Sequence, residues 1–340
     1  FSFIQNKYAK VTITGIADAG NDHGRTAINQ SLKECFFIII LKLMFFLKPK
    51  LSFICLQKYE ISSLFKYFCT QVIKETLMIK ALFFDIDGTL VSFETHKIPV
   101  STIEALTAAK AKGIQIFIST GRPGTIINNL SALQDRGLID GYITMNGGYC
   151  FVDKEVIYKS TIPTADIEVL MNYCTSKNIP CIVVGEHDIC VCHPNELVKK
   201  IFHDFLKVDV IPARTPEEAL QIGEIFQMTP FITEEEEREI LPSIPNCEIG
   251  RWFPAFADVT AKGNTKQKGI DEIIRHFGIR LEETMAFGDG GNDISMLRHA
   301  GIGIAMGNAK DDVKAAADYV TTGVDDNGIA NAMRHFKIID

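Results

Sequence analysis

The chain has 340 residues, of which 46% are apolar and 23% are charged, so it is long enough for a full hydrophobic core and a second domain. Its formal net charge is −7, which argues against a nucleic-acid-binding protein, since such proteins are usually basic. The nine cysteines are scattered without a CxxC pair, and we interpret them as small buried hydrophobic residues in a reducing cytoplasm.

Residues 1–77 differ in composition from the rest of the chain. They carry a net charge of +5, whereas residues 78–340 carry −12. Their apolar run at 35–47 contains Lys42 and is shorter than the roughly 20 residues that cross a membrane, and no signal-peptide cleavage site follows it. We therefore expect an atypical extension outside the functional fold, which would start at Met78. Membrane association and a separate folded domain are the alternatives.

From residue 78 onward, short apolar segments alternate with amphipathic ones. This alternation predicts right-handed βαβ crossovers and a parallel sheet. The first segment is continuously apolar, as a strand that is buried on both faces requires. Ser101 and Glu104 form a capping-box pattern at the start of the first helix. The predicted elements are a strand at 79–85, a helix at 101–113, a strand at 114–120, a helix at 123–137, and a strand and loop at 141–148.

The pattern changes at about residue 150 and returns at about 258. A hairpin that turns at Asp153 and Lys154 is followed by paired strands with helices between them, which indicates an α+β domain inserted into the α/β core. The predicted inserted elements are a helix at 163–178, strands within 181–192, a helix at 195–206, and a strand–helix–strand passage to about 250. The later elements are a helix at 265–278, a strand at 283–289, a helix at 291–301, a strand at 302–307, and a helix and strand within 311–320.

Polar residues gather where the predicted core strands end. In a parallel sheet, ligands bind beyond the carboxyl ends of the strands, at a switch in strand order. The first strand runs into Asp85 and Asp87, two carboxylates that repel each other and are costly to desolvate. The residues placed at this edge are Asp85, Asp87, Ser119, Thr120, Gly121, Arg122, Asn146, Asp289 and Asp293, with Lys262 and Lys266 just before a helix.

This combination of acids, a hydroxyl and lysines indicates phosphoryl chemistry. The acids can hold Mg²⁺, a hard cation that prefers oxygen ligands, and the lysine and hydroxyl can hold phosphate oxygens. A metal and a lysine compensate the repulsion between Asp85 and Asp87. Asp85 can then attack phosphorus to form an aspartyl phosphate, and Asp87 can protonate the leaving alcohol and later deprotonate water. Gly88 allows the backbone to turn close to the phosphate.

Four motifs, FFDIDGTL, STGR, KGNTK and FGDGGND, resemble the signature of the haloacid dehalogenase superfamily of phosphatases. Their order and spacing, with a large insert between the second and third, are similar to the Cof-type sugar phosphatases with a C2 cap, hexose-phosphate phosphatases in particular. The resemblance implies an α/β fold: a Rossmann-like parallel-sheet core with an inserted α+β C2-type cap. The implied divisions are the extension at 1–77, the core at 78–160 and 258–340, and the cap at 161–257.

The resemblance also implies a role for each motif position. Asp85 matches the nucleophile and a Mg²⁺ ligand, and Asp87 matches the general acid/base, whose backbone carbonyl also binds the metal. Asp289 matches the main acidic metal ligand of the fourth motif. The implied phosphate-binding positions are Thr120, Gly121, Lys266 and Asn292. The supporting positions are Asp293, which orients the metal's water, and Arg122 and Asn146, which touch phosphate or the leaving group.

Some of these side chains also have a purely structural interpretation. Thr120 alone could cap a strand end, and Lys262 could be an ordinary solvated lysine. Asp293 could merely cap the helix at 291–299, because a carboxylate near a helix start can accept from free backbone N–H groups. The sequence leaves these alternatives open.

We therefore predict a Mg²⁺-dependent cytoplasmic phosphatase that hydrolyses small phosphomonoesters, namely sugar (hexose) phosphates, through an aspartyl phosphate. The inserted domain would act as a lid over the site. The expected partner is a small phosphorylated molecule, with no nucleic acid and no membrane for residues 78–340, and the oligomeric state stays open. One alternative is a phosphomutase, disfavoured by the short segment between the first two motifs. Another is a phospho-aspartate switch, disfavoured because Asp87 promotes turnover.

Overall fold

The computed structural model describes residues 78–340, so our predictions for residues 1–77 lie outside the described residues. The strands are β1 (Ala81–Phe84), β2 (Gln115–Ser119), β3 (Gly141–Thr144), β4 (Tyr149–Val152), β5 (Glu155–Lys159), β6 (Cys181–Gly185), β7 (Ile189–Cys192), β8 (Ile225–Pro230), β9 (Cys247–Phe253), β10 (Phe256–Ala261), β11 (Thr284–Gly288), β12 (Ile302–Ala305) and β13 (Tyr319–Val320). The α-helices are α1 (Val100–Ala111), α2 (Ser131–Gln134), α3 (Thr164–Ser176), α4 (Glu196–Val198), α5 (Pro216–Ala219), α6 (Glu234–Ile240), α7 (Lys266–Phe277), α8 (Ile294–His299), α9 (Asp311–Lys314) and α10 (Gly328–His335).

The core is an eight-stranded sheet with the order β13-β12-β11-β1-β2-β3-β4-β5. The strand β1 pairs in parallel with both β11 and β2, and the hairpin β4–β5 adds two antiparallel strands at one edge. All four side chains of β1 are buried, and the rings of Phe84 and Phe287 stack with centroids 4.6 Å apart. Burial on both faces explains the continuous apolar sequence of β1 and confirms the predicted α/β parallel core.

A second sheet of five antiparallel strands, β7-β6-β8-β10-β9, lies between β5 and α7 in the sequence and forms the cap. Its own apolar cluster includes Ile182, Phe226 and Phe256. This arrangement confirms an α+β domain inserted into the core. The last cap strand, β10, ends at Ala261, and the domain limits that we gave above stay predictions. Within residues 78–340, no helix combines the length and the apolar character needed to cross a bilayer.

The helix predicted at 123–137 is wrong for most of its length. The segment forms a 3₁₀ turn at Gly124–Ile126 and the four-residue helix α2. The Ile126 carbonyl accepts a hydrogen bond from Arg122 Nη1 at 3.2 Å, and Asn128 Nδ2 donates to the Lys207 carbonyl of the cap at 2.8 Å. These contacts hold the segment against the site and the cap, in a backbone path that a regular helix would not follow.

Smaller differences concern helix ends and winding. The capping box predicted for Ser101 and Glu104 is wrong, because α1 begins one residue earlier, after Pro99, and no side chain caps it. The helix predicted at 195–206 forms as α4 followed by a π-helix at Lys199–Phe205. The helix α10, at Gly328–His335, was not predicted from the sequence.

Candidate active site

The carboxyl ends of the central parallel strands bring most of the predicted site residues to one edge of the core sheet. Asp85 directly follows β1, Thr120 follows β2, and Asp289 follows β11, while Lys266 is the first residue of α7. Lys262 is exposed to solvent and does not line the cavity above these residues. This agrees with its interpretation as an ordinary solvated lysine. The shared edge follows from parallel pairing of β1 with both neighbours.

Lys266 is a buried cation at the centre of the carboxylate cluster. Its side chain is fully buried, and its ammonium donates to Asp85 Oδ1 and to Asp293 Oδ1, each at 2.6 Å. Burial alone would lower the pKa of this lysine, but the Asp293 and Asp85 carboxylates outweigh it and raise the pKa above its ordinary value. Lys266 therefore remains charged and holds the Asp85 carboxylate in a fixed position.

Asp293 both caps the helical segment that begins at Gly291 and stabilises the site. Its Oδ1 accepts from Lys266, and its Oδ2 accepts from the backbone N–H groups of Asp289 (2.9 Å) and Gly290 (2.8 Å). The bond from the Gly290 N–H caps the helical segment that begins at Gly291, as the structural interpretation expected, and the bond from Lys266 adds a second role. Both oxygens are used to hold Lys266 and the loop that carries Asp289.

Three carboxylates offer oxygen atoms that could hold a metal ion. Oxygens of Asp85, Asp289 and Asp293 lie within 4.8 Å of one another. Thr89 Oγ1 donates to Asp289 Oδ1 at 2.7 Å, which orients that carboxylate. Asp293 accepts three hydrogen bonds, from Lys266 and two backbone N–H groups, whereas Asp289 accepts two and Asp85 accepts one, so Asp85 and Asp289 keep more free lone pairs for a metal. The donor set is all oxygen and acidic, which fits a hard divalent cation such as Mg²⁺.

The pKa values of the Asp85 and Asp289 carboxyl groups also fit a cation site. Burial, followed by the charges of Asp293 and Asp87, raises the pKa of Asp85 from 3.8 to about 7 despite the nearby Lys266. Burial and the charges of Asp85 and Asp293 raise the pKa of Asp289 from 3.8 to about 8. One lysine therefore does not neutralise the cluster fully, and a further positive charge would allow both groups to ionise at neutral pH.

Asp87 is held by Arg122 in a two-pronged ion pair. Arg122 Nε donates to Asp87 Oδ2 at 2.6 Å, and Nη2 donates to Oδ1 at 2.8 Å. The guanidinium is almost completely buried, with 3% of the side chain exposed, and its third contact is the Ile126 carbonyl. The structure pairs Arg122 with Asp87, and the phosphate or leaving-group contact that the sequence suggested for it stays a prediction.

Thr120 is buried beside this pair, and its Oγ1 accepts the backbone N–H of Arg122 at 3.0 Å. Because the oxygen accepts this bond, the hydroxyl hydrogen can be donated to a phosphate oxygen. Sequence reasoning missed Asn308, whose Nδ2 donates to the Gly88 carbonyl at 2.9 Å and to Asp289 Oδ2 at 3.4 Å. Asn308 follows β12 of the same sheet, so the strand-end rule could have found it.

A cavity of about 550 Å³ opens over these groups, between the core edge and the cap. The core contributes Asp85, Asp87, Thr120, Asp289 and Asn292 to its lining, and the cap contributes Glu234, Glu237, Arg238, Arg251 and Phe253. A volume of this size accommodates a small metabolite. Its lining combines acids, basic groups and the aromatic rings of Phe93 and Phe253, so it suits a polar ligand with some apolar surface.

Replacing Gly88 with Ala is expected to weaken binding of a divalent cation at least tenfold. A Cβ on Gly88 would lie 2.2 Å from Asp289 Oδ2, and the backbone φ of +89° is unfavourable for Ala. The Asp289 carboxylate would have to move. A calorimetric titration of the variant with Mg²⁺ measures the loss.

Gly113→Ala is the matched control for this variant. Gly113 has a similar φ of +80°, but nothing lies within 4 Å of the added Cβ. This control is expected to lose about 1–2 kcal/mol of folding free energy from backbone strain and to bind Mg²⁺ normally. Wild-type affinity in the Gly88→Ala variant would show that Asp289 is not a ligand.

Comparisons with known proteins agree with this arrangement. A family model described as haloacid dehalogenase-like hydrolase matches residues 82–333. The structure is similar to that of BT4131, described as a sugar phosphatase of haloacid dehalogenase subclass IIB, from Bacteroides: identity is 74%, TM-score is 0.75, and the match covers 76% of this chain and 100% of that one.

Two Bacillus subtilis proteins are similar in sequence. YkrA, provisionally named a phosphatase, is 31% identical over 265 residues, which cover 76% of this chain and 98% of YkrA. YcsE, named 5-amino-6-(5-phospho-D-ribitylamino)uracil phosphatase, is 29% identical over 266 residues, which cover 78% of this chain and 98% of YcsE. The names of all three similar proteins thus refer to phosphatase chemistry.

Proposed function

The chain belongs to the haloacid dehalogenase-like hydrolase family and is a phosphatase, and from this we propose that it hydrolyses small sugar phosphates with Mg²⁺ through an aspartyl-phosphate intermediate. The observation that carries the proposal is the Asp85 carboxylate, held by the buried Lys266 at the floor of a cavity that Asp87 also lines. A fixed carboxylate with an acid two residues further on suits two-step phosphoryl transfer.

In the first step, Asp85 attacks phosphorus and the alcohol leaves with a proton from Asp87. Lys266 and the Thr120 hydroxyl stabilise negative charge on the phosphate oxygens. In the second step, Asp87 takes a proton from water, which attacks the phosphoryl group on Asp85 and releases phosphate. Arg122 keeps the Asp87 carboxylate in place through one bond to each oxygen, and each oxygen keeps a second lone pair that can take up the proton.

The residues that would hold Mg²⁺ are Asp85, Asp289 and the backbone carbonyl of Asp87, with Asp293 as the support of the loop. Their oxygen donors fit this cation. When bound, the metal supplies positive charge that allows Asp85 and the phosphate to approach each other. The raised pKa values of Asp85 and Asp289 support this assignment, because ionisation of both groups needs a compensating charge.

The cavity and the comparisons support a sugar phosphate as substrate. About 550 Å³ suffices for a phosphorylated hexose, and the cap lining offers carboxylates and arginines that can hydrogen-bond to hydroxyl groups. BT4131 is described as a sugar phosphatase, whereas YcsE is named for a phosphoribitylamino substrate, so the family includes more than one leaving group. We propose a small phosphorylated metabolite as partner and, given the six buried free thiols among residues 78–340, a cytoplasmic location.

Phosphate release by the full chain tests this proposal. The assay compares hexose phosphates, pentose phosphates and nucleotides, each with and without Mg²⁺. The proposal predicts metal-dependent release that is fastest with sugar phosphates. A lasting phosphoryl group on Asp85 without release would instead support a mutase or a phospho-aspartate switch, and preference for nucleotides would contradict the sugar assignment.

Mg²⁺ is expected to raise the melting temperature more at pH 8 than at pH 6. In the folded protein, Asp85 and Asp289 have pKa values near 7 and 8, well above the unfolded value of 3.8. As pH rises from about 4 to 8, the unfolded chain releases protons that the folded protein retains, so the stability of the metal-free protein falls. Ionised carboxylates bind the metal better, so the gain from Mg²⁺ grows over the same range.

Thermal unfolding in matched buffers with and without Mg²⁺ measures this difference. The variant Asp289→Asn lacks one of the two carboxyl groups with a raised pKa. Its increase in melting temperature with Mg²⁺ should be smaller and should depend less on pH. Equal gains at both pH values in the wild-type protein would argue against a metal held by these two carboxylates.

A further inference from the structure

The loop after β3 presents a buried asparagine in an unfavourable backbone conformation. Met145 and Asn146 have φ values of 51° and 52°, the left-handed region, in which asparagine is tolerated better than most residues. Asn146 is 7% exposed, and its backbone N–H donates to the Thr120 carbonyl at 3.1 Å. The strained backbone therefore brings the Asn146 side chain close to the phosphate-binding segment after β2.

The Asn146 side chain links the cap to the fourth motif. Its Nδ2 donates to Asp258 Oδ2 of β10 at 3.4 Å, a long hydrogen bond. Its Oδ1 accepts from Asn292 Nδ2 at 3.0 Å. On the cap side, Thr229 Oγ1 donates to Asp258 Oδ1 at 2.8 Å. Thr229 and Asp258 are 2% and 3% exposed, so the chain of hydrogen bonds crosses from the cap sheet to the site through buried groups.

The acceptor oxygens of Asp258 set the direction of this series of hydrogen bonds. Asp258 accepts from Thr229 and from Asn146, so the amide nitrogen of Asn146 faces Asp258 and its oxygen faces Asn292. Because the Asn146 oxygen can only accept a hydrogen bond, the group of Asn292 that faces it must be the amide nitrogen. An amide nitrogen has two hydrogens, so Asn292 retains one that can be donated to a phosphate oxygen in the cavity that it lines.

Gly121 provides the space for this arrangement. A Cβ on Gly121 would lie 3.1 Å from Asp258 Oδ2 and 3.2 Å from both terminal atoms of the Asn146 side chain. These distances are tighter than ordinary contacts, so the Asp258 and Asn146 side chains pack around a position that only glycine fills without displacement. The glycine of the second motif thus has a packing role beside the phosphate site.

We propose that Asp258 and Asn146 are positioning residues that direct an N–H of Asn292 toward the substrate phosphate and so connect the cap sheet to phosphate binding. The inference rests on the proposed function, in which Asn292 contacts phosphate. It predicts that the donor–acceptor direction of these hydrogen bonds matters as much as the shape of the side chains. It also predicts that residues 146 and 258 can exchange their donor and acceptor roles without loss of phosphate binding.

An exchange of the two side chains tests this prediction. Asn146→Asp places two carboxylates next to each other and is expected to raise both KM and the inhibition constant of inorganic phosphate by about 10-fold to 100-fold, with a smaller effect on kcat. In the double variant Asn146→Asp/Asp258→Asn, the amide introduced at position 258 can accept from Thr229 through its oxygen. Its nitrogen can donate to the carboxylate introduced at position 146, which still accepts from Asn292. We expect this double variant to recover wild-type constants to within about threefold.

The matched control is Asn178→Asp in the cap. Asn178 is also left-handed, with φ of 52°, but it is exposed, so the same change should leave both constants unaltered. A double variant no better than Asn146→Asp would overturn the inference, as would an unchanged single variant. Direct titration with inorganic phosphate separates this result from the proposed function. If the wild-type protein hydrolyses sugar phosphates but the exchange fails, only the positioning role is wrong.

Discussion

The variant Asp85→Asn is expected to release phosphate more slowly than the wild-type protein by a factor on the order of 10⁴ or more in kcat. Losses of this size follow when the group that forms the covalent intermediate is removed. An amide cannot attack phosphorus, although it keeps the shape of the carboxylate and can still accept from Lys266. Steady-state phosphate release with a saturating sugar phosphate and Mg²⁺ measures the effect.

The same variant should fold at least as stably as the wild-type protein at pH 8 without metal. The pKa of Asp85 is raised to about 7, so the ionised form is disfavoured in the folded state, and the neutral amide avoids that cost. The control Asp140→Asn changes another lysine-paired carboxylate, which contacts Lys110 and the Ile116 N–H. It should show the opposite result, with lower stability and normal kcat. Normal turnover by Asp85→Asn would eliminate the proposed nucleophile.

The variant Lys266→Met is expected to lose about 3–5 kcal/mol of folding free energy at pH 8 without metal, because it leaves two buried carboxylates without their cation. The Lys266 side chain has no exposed surface and contacts both Asp85 and Asp293 at 2.6 Å. The loss should shrink at low pH, where the carboxyl groups take up protons. Urea unfolding at pH 5 and pH 8 measures it.

The double variant Lys266→Met/Asp293→Asn separates stability from catalysis. Removing the Asp293 charge relieves the repulsion that the lysine had compensated, so part of the folding free energy should return. Phosphate release should stay low, because nothing then neutralises Asp85 and the phosphate together. If the single variant were as stable as the wild-type protein, the buried ion-pair geometry described here would be wrong.

The sequence by itself predicted the parallel core, the inserted domain and the strand ends at which the site lies. Continuous apolar segments such as β1 indicated strands buried on both faces, and the acid-rich motifs followed those strands directly. Parallel strands must end at a common edge, so local pattern alone was enough to bring Asp85, Thr120 and Asp289 together. Their chemical roles remain proposals.

Only the tertiary structure decided which side chains bind one another. Arg122 contacts Asp87 across 35 residues of sequence, and Asp258 of the cap reaches Asn146 across 112. The helix predicted at 123–137 failed for the same reason, since Asn128 contacts the cap at Lys207. Hydrophobic periodicity and residue propensity indicate which face of a segment is buried, but they do not name the residues that it contacts. The position of the inserted sheet over the core determines which residues of the two parts contact each other. A local sequence pattern carries no information about that position.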